Sequence, residues 1–173
     1  MVNNNQHGSS ADTAESALEK LQARLIARIK DGNHWDGHLA SSALATAVAA
    51  IALAEVGDDA HTRRVGQAVT WLLGAQNRDG GWGDTPESPS NLSTTLLAWS
   101  ALARCAPHLT DPSAAAPGAS KAASWIRDCA GGTEPLRITE AVSEFYGADR
   151  TFSAPILTTC ALSGRLGNGK DAC

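Results

Sequence analysis

The feature that most constrains the fold is an internal repeat of helix-forming segments. Residues 43–50 (ALATAVAA) align with residues 91–98 (NLSTTLLA) at an offset of 48. The same offset brings Trp35 close to Trp82, and both tryptophans lie in glycine-containing loops. Each unit is therefore a helix, a Gly/Trp loop and a helix rich in alanine and threonine. Helical hairpins with a period near 50 residues predict a stacked or toroidal α-repeat architecture. The coinciding pairs are Leu44/Leu92, Thr46/Thr94 and Ala50/Ala98.

Hydrophobic spacing predicts seven helices. The chain has 32 alanines but only one Tyr and two Phe, a composition that favours helix. No segment alternates apolar and polar residues between hairpin turns, so the predicted class is all-α. Residues 121–126 resemble residues 67–72, which suggests a third, decayed copy of the unit. The predicted helices cover residues 13–30, 40–56, 59–76, 91–105, 118–130, 135–146 and 151–163.

The length of 173 residues corresponds to one domain on a prior of about 150 residues per domain. We expect a disordered tail over residues 1–12, a helical repeat domain over residues 13–165 and a second tail over residues 166–173. Cys105, Cys129 and Cys160 lie on apolar helical stretches and are predicted to be buried, unreactive free thiols.

Charge and hydropathy exclude several classes of partner. The formal net charge is −4 and no dense Lys/Arg cluster exists, so no nucleic acid is expected as a partner. The longest apolar stretch, residues 39–54, is mostly alanine with Ser and Thr, and it is too short to span a bilayer. The first ten residues lack the apolar segment of a signal peptide. These features predict a cytoplasmic protein and leave peripheral membrane attachment open.

Residues 71–82 (WLLGAQNRDGGW) form a motif with an aromatic residue, Gln, Gly and Trp at fixed offsets: Trp71, Gln76, Gly80 and Trp82. Gln76 lies at a predicted helix end, and its amide can bond open carbonyls of its own helix or open N–H groups of the next one. Gly80 allows a turn that a Cβ would block. Trp82 would then pack its ring over that amide. The predicted role of the motif is structural rather than catalytic.

This motif resembles the QW repeat of squalene–hopene cyclases and related prenyltransferase/squalene-oxidase-repeat proteins, with Gln67 replacing the usual basic residue. The flanks are similar too. The His34-Trp35-x-Gly37 segment resembles the family's N-terminal region, and residues 146–157 (YGADRTFSAPIL) resemble its aromatic, Arg-Thr, Pro-aliphatic segment. The resemblance covers residues 13–165. It implies an α/α toroid, of which this chain would supply an incomplete part, about half, from the non-catalytic helical domain.

The resemblance also implies a link to terpenoid and polyprene metabolism. Cyclases of the family protonate their substrate with an Asp-x-Asp-Asp motif, which this chain lacks. Asp58-Asp59 is the nearest pattern, and we interpret it as a helix cap. We therefore expect a truncated or split form that is not catalytic alone. We expect no catalytic residue and no cofactor in this chain. Whether the chain contributes to an enzyme stays open. The alternative is a non-catalytic isoprenoid- or lipid-binding or protein-interaction scaffold.

The remaining candidate residues, a histidine pair and a charged pair, are interpreted as structural rather than as metal-binding or catalytic. His34 and His38 flank Asp36 in a glycine-flanked loop with no obvious third ligand, so no metal is expected. The missing ligand set also argues against a stand-alone prenyl transferase. Asp149-Arg150 is interpreted as a pinning pair at a helix start.

Repeat geometry predicts an uncovered edge. Seven helices make about three hairpins, roughly half of what a closed toroid needs, because each repeat contacts only its neighbours. We expect an exposed apolar edge that a polyprene lipid, a second copy of the chain or a missing C-terminal half would cover.

Overall fold

The computed structural model describes residues 7–30, 32–37 and 39–167, with only the backbone of residues 7–12, 59 and 60. The chain divides into two compact units, Met1–Leu39 and Ala40–Cys173. The sequence predicted a single helical domain beginning at residue 13.

The first unit contains a helix and a small hairpin. Helix α1 spans His7–Ile26, and strands β1 (Ile29–Lys30) and β2 (His34–Trp35) pair antiparallel. Helix α1 begins inside the stretch predicted as a tail, and the prediction of a helix through residue 30 was wrong, because Ile29 and Lys30 form β1. The hairpin forms because Gly32 adopts a positive φ of 72°, which turns the chain back after β1. Residues 1–6 of the predicted tail lie outside the described part.

The second unit is helical throughout its regular structure, which confirms the predicted all-α class. The part of the chain that the structure describes contains seven α-helices in all, as predicted. The six in this unit are α2 (Ala43–Val56), α3 (Asp59–Gly74), α4 (Leu92–Cys105), α5 (Ala116–Ala130), α6 (Pro135–Tyr146) and α7 (Arg150–Leu162). Two short 3₁₀ helices, Ala106–His108 and Pro112–Ala115, join α4 to α5.

Helix α4 is the centre of the second unit. It contacts α2, α3, α5 and α7, and each residue from 92 to 102 is buried. Helix α2 presents small side chains among its buried residues, which allows close packing of two backbones. The buried residues of α2 are Ala43, Ala47, Ala50, Ile51 and Ala54.

The two repeated helices begin with equivalent caps. Ser42 Oγ accepts a hydrogen bond from the N–H of Ala45 at 3.2 Å, and Asn91 Oδ1 accepts one from the N–H of Thr94 at 2.9 Å. Each cap satisfies a backbone donor that the first helical turn leaves open. The caps stand 49 residues apart, one more than the offset of the sequence alignment.

The packed part of the second unit extends past α7. Arg165 lies over the ring of Trp99, with 3.7 Å from its Cζ to the ring centroid, and its Nη2 donates to the Trp99 carbonyl at 2.9 Å. Burial lowers the pKa of Arg165 to about 10. Leu166, which the sequence assigned to the C-terminal tail, is buried in the core.

None of the helices in the described part of the chain has the length and hydropathy of a membrane-spanning segment.

Candidate functional site

The four motif residues come together where α3 ends and the following loop begins. Trp82 is fully buried, and its indole Nε1 donates to the carbonyl of Leu72 at 2.8 Å. Leu72 lies in the last turn of α3, where carbonyls have no partner within the helix. Trp82 therefore satisfies an open helix carbonyl while filling the core. Trp71, at the start of the motif, is partly buried against the core.

Gln76 joins the motif to a distant helix. Its Nε2 donates to the carbonyl of Gly80 at 2.8 Å and to the carbonyl of Gly118, in the first turn of α5, at 2.9 Å. The sequence-based hypothesis paired this amide with its own helix or with the next one along the chain. The observed partners are instead the loop and α5, so one amide links three segments of the chain.

Gly80 occupies a position that excludes side chains. Its φ is 94°, and a Cβ there would lie 2.7 Å from the carbonyl oxygen of Lys121 in α5. Both features require glycine, because other residues rarely adopt this backbone conformation and the contact is with rigid backbone. The loop therefore lies closer to α5 than it could if residue 80 carried a side chain.

The backbone of Trp82 is fixed to α4. Its N–H donates to Thr95 Oγ1 at 3.0 Å, and its carbonyl accepts from the N–H of Asn91 at 3.0 Å. Asp84 extends the same junction, since its Oδ1 accepts from Asn91 Nδ2 at 2.9 Å and from Thr94 Oγ1 at 2.7 Å. The loop thus connects the end of α3, the start of α4 and the start of α5.

Asp79, like Asp84 and Thr95, is a residue of this site that sequence reasoning missed. Its Oδ1 accepts from the N–H of Gly81 at 3.0 Å and from Ser90 Oγ at 2.7 Å, and its Oδ2 accepts from Trp125 Nε1 at 3.2 Å. Partial desolvation raises the pKa of this carboxyl, but these hydrogen bonds outweigh it and hold the pKa below its usual value of 3.8. The Asp-Gly-Gly triplet at residues 79–81 was the available signal, since aspartate in such loops often accepts from the backbone.

This shift predicts an acid-sensitive contribution to stability. A carboxyl whose folded-state pKa is depressed stabilises the fold above its unfolded pKa, and the contribution is lost as pH falls through the lower, folded value. Asp79→Asn should lower the urea midpoint at pH 7, because its amide would turn a donor toward Trp125 or Ser90. The difference from the wild type should shrink as the pH falls below about 4. Urea titrations at several pH values, followed by circular dichroism, would measure it. A difference that stays constant over this range would contradict the assignment.

The first unit repeats one element of this geometry. Trp35 Nε1 donates to the carbonyl of Leu25 at 2.7 Å, ten residues earlier, just as Trp82 donates to Leu72 ten residues earlier. Leu25 likewise lies in the last turn of its helix. Gln76 stands six residues before Trp82, and Ile29 stands six residues before Trp35. The first copy therefore keeps the tryptophan contact and lacks the glutamine that would link it to another helix.

Other predicted residues have different surroundings from those expected. Asp149 Oδ1 accepts from the N–H of Thr151 at 2.8 Å and caps α7, and among the described residues no ion pair joins it to Arg150. Cys129 is exposed, contrary to the prediction, whereas Cys105 and Cys160 are buried. Burial raises the pKa of Cys105 to about 11, so its thiol stays protonated at neutral pH.

The candidate metal ligands of the first unit can be compared only where the structure describes them. His34 Nε2 lies 3.5 Å from Asp36 Oδ1, and Asp36 also pairs with Lys30. The second histidine of the proposed pair, at position 38, lies outside the described residues. No group of three His, Cys, Asp or Glu side chains that could hold a metal occurs among the residues searched, which are the described ones. In the second unit, α3 begins at Asp59, directly after Asp58.

Comparison with known proteins decides the family. The squalene-hopene cyclase N-terminal domain matches residues 18–141, well over half of the chain. This chain belongs to the squalene-hopene cyclase N-terminal domain family. It is also similar to the protein named squalene hopane cyclase afumA of Aspergillus fumigatus (strain CBS 144.89 / FGSC A1163 / CEA10), with 31% identity over 125 residues. That alignment covers 72% of this chain but only 16% of the relative. No solved structure matches the chain.

Proposed function

We propose that this chain is a squalene-cyclase-like helical repeat segment of terpenoid or polyprene metabolism that is not catalytic alone. Membership in the squalene-hopene cyclase N-terminal domain family supports the assignment. The chain spans about a sixth of the length of the curated relative that it matches. We identify residues 71–82 as a QW motif that braces adjacent helices. In support, the indole of Trp82 and the amide of Gln76 both donate to backbone carbonyls.

The observation that carries the proposal is an apolar face on the last helical hairpin. Phe145 on α6 and Phe152 on α7 are 66% and 58% exposed, and Leu136 and Leu162 are exposed on the same two helices. The two phenylalanine rings flank Tyr146, with centroid distances of 4.9 and 6.1 Å. We define Phe145, Tyr146 and Phe152, the three residues whose rings pack together, as the α6–α7 face. Exposed apolar side chains that lie together on a helical repeat are typical of sites that a neighbouring repeat or partner covers.

Four carboxyl groups among the described residues have a pKa shift whose direction bears on acid catalysis. Protonation of a polyprene needs an acid held in its protonated form, which requires a raised pKa. Every carboxyl group with a resolved shift has its pKa lowered instead, by hydrogen bonds or by a cation. These four groups are Glu55, Asp79, Asp111 and Asp149. Within the described residues, the chain is therefore built to keep these carboxyls ionised.

The test of the proposal is the mass of the chain by light scattering. We expect a dimer or larger species, because association would bury the α6–α7 face. The double variant Phe145→Ser/Phe152→Ser should shift the population to a monomer near 17.9 kDa. Val56→Ser is the matched control, since Val56 on α2 is also 66% exposed but lies outside this face. The control should keep the wild-type mass.

Squalene distinguishes the remaining outcomes. The chain alone should release no cyclised product from squalene, and a cyclised product would contradict the non-catalytic proposal. A dimer that squalene dissociates would favour the alternative, a lipid-binding scaffold. A wild-type monomer with and without squalene would overturn the view that the α6–α7 face needs a cover.

A further inference from the structure

A cleft of about 920 Å³ lies between α3 and the two 3₁₀ helices that follow α4. It is built entirely from the second unit and lies apart from the α6–α7 face. Small-molecule sites in proteins are usually concave, mostly apolar and about 300–1,000 Å³ in volume, with a few polar groups. The volume of this cleft falls in that range. The side chains that line it determine which class of ligand it could bind.

One part of the cleft is apolar. Trp71 and Leu73 contribute from α3, and Leu109 contributes from the segment between the 3₁₀ helices. All three side chains are only partly buried against the core, so each keeps surface available to a ligand. An aromatic ring beside two leucines suits an extended aliphatic chain or a flat hydrocarbon.

The polar groups of the cleft include an exposed guanidinium that has no partner among the described residues. Arg63 lines it, and no hydrogen bond or ion pair joins Arg63 to any described residue. Gln67, one helical turn along the same helix, also lines the cleft with its amide unengaged by the described residues. A guanidinium presents donors in a planar fork that matches carboxylate and phosphate oxygens.

The acidic group of the cleft is already engaged. Asp111 Oδ1 accepts from both the N–H and the hydroxyl of Ser113, at 2.9 and 2.6 Å, and these bonds lower the pKa of Asp111. Its carboxylate therefore fixes the start of the second 3₁₀ helix, Pro112–Ala115. His108 is the other titratable group that lines the cleft. Of the charged side chains there, Arg63 is the cation left for a ligand.

We propose that this cleft binds a small amphipathic anion. Its aliphatic part would lie against Trp71, Leu73 and Leu109, and its carboxylate or phosphate would accept hydrogen bonds from Arg63. Gln67 would donate to the same head group. The proposal does not depend on the proposed function, because neither squalene nor the α6–α7 face enters it.

The probe for the test is decanoate, titrated calorimetrically into the full chain, with decyl phosphate as the second anion. Affinity should rise from hexanoate to decanoate, because longer chains bury more apolar surface. Decan-1-ol and decyltrimethylammonium should bind at least about tenfold more weakly, since neither supplies an anion to Arg63. Tighter binding of decyl phosphate than of decanoate would identify the phosphate as the preferred head group.

Three variants assign the head-group contact. Arg63→Gln should weaken decanoate binding about tenfold, the loss expected when a charge-assisted hydrogen bond is removed. Arg64→Gln is the matched control, because Arg64 is the neighbouring arginine in α3 and is exposed like Arg63 but does not line the cleft. Asp111→Asn should keep the cap and tighten decanoate binding by removing a negative charge. Equal affinities of the Arg63 and Arg64 variants, equal binding of the cationic probe, or no binding of either anion would overturn the proposal.

Discussion

Replacing Trp82 with alanine should lower the free energy of unfolding by about 3–5 kcal/mol, the range measured for large aromatic residues in protein cores. The side chain is fully buried, so the substitution leaves a cavity that rigid helix ends cannot fill. It also leaves the Leu72 carbonyl without the indole donor. Because small domains are stable by only about 5–15 kcal/mol, this variant should unfold at far lower urea concentrations. Urea titration followed by far-ultraviolet circular dichroism would measure the change.

Two further variants separate packing from hydrogen bonding. Trp82→Phe keeps an aromatic ring but removes the indole N–H, and it should cost less than the alanine variant. Trp35→Ala removes the same kind of indole-to-carbonyl bond from a side chain that is 52% exposed. It should cost much less than Trp82→Ala, since half of the ring surface contacts solvent in the folded chain. Equal costs at the two tryptophans would show that the buried packing of Trp82 is not the main contribution.

The comparison of sequence with structure shows which interactions are local. Helices α2 and α4 could be predicted because their caps and apolar residues lie within a few turns of each other. The end of α1 was missed because residues 27–30 continue the helical spacing. A positive φ at Gly32 and pairing with residues 34–35 nevertheless turn them into a hairpin. The spacing of apolar residues alone does not predict whether such a segment forms a helix or a hairpin.

In the candidate site too, local features could be predicted and contacts between distant segments could not. The grouping of Trp71, Gln76, Gly80 and Trp82 followed from their spacing. The second partner of Gln76 did not, because the Gly118 carbonyl is 42 residues away in the chain. Arg165 was missed for the same reason, since the Trp99 ring that holds it is 66 residues away. Contacts between distant segments depend on how the helices pack, and a single sequence specifies this only indirectly.

Gly83 provides a second large effect. A Cβ at this position would lie 2.4 Å from the carbonyl oxygen of Ser88 and 2.6 Å from that of Pro89. Both obstacles are backbone atoms, so no change of side-chain rotamer can relieve the contact. Gly83→Ala should therefore displace the loop that holds the Trp82 backbone against α4 and cost about 3 kcal/mol, at the upper end of overpacking effects.

The control for Gly83→Ala is the same substitution where space is free. Gly66 lies inside α3 with nothing within 4 Å of an added Cβ. Because alanine favours helix over glycine, Gly66→Ala should raise the free energy of unfolding by up to about 1 kcal/mol. Opposite signs at the two glycines in parallel urea titrations would show that the loop after Trp82 depends on close backbone contact. A neutral Gly83→Ala variant would mean that residues 83–89 can move without disturbing Trp82, and that the brace rests on the side chains of Trp82 and Gln76 alone.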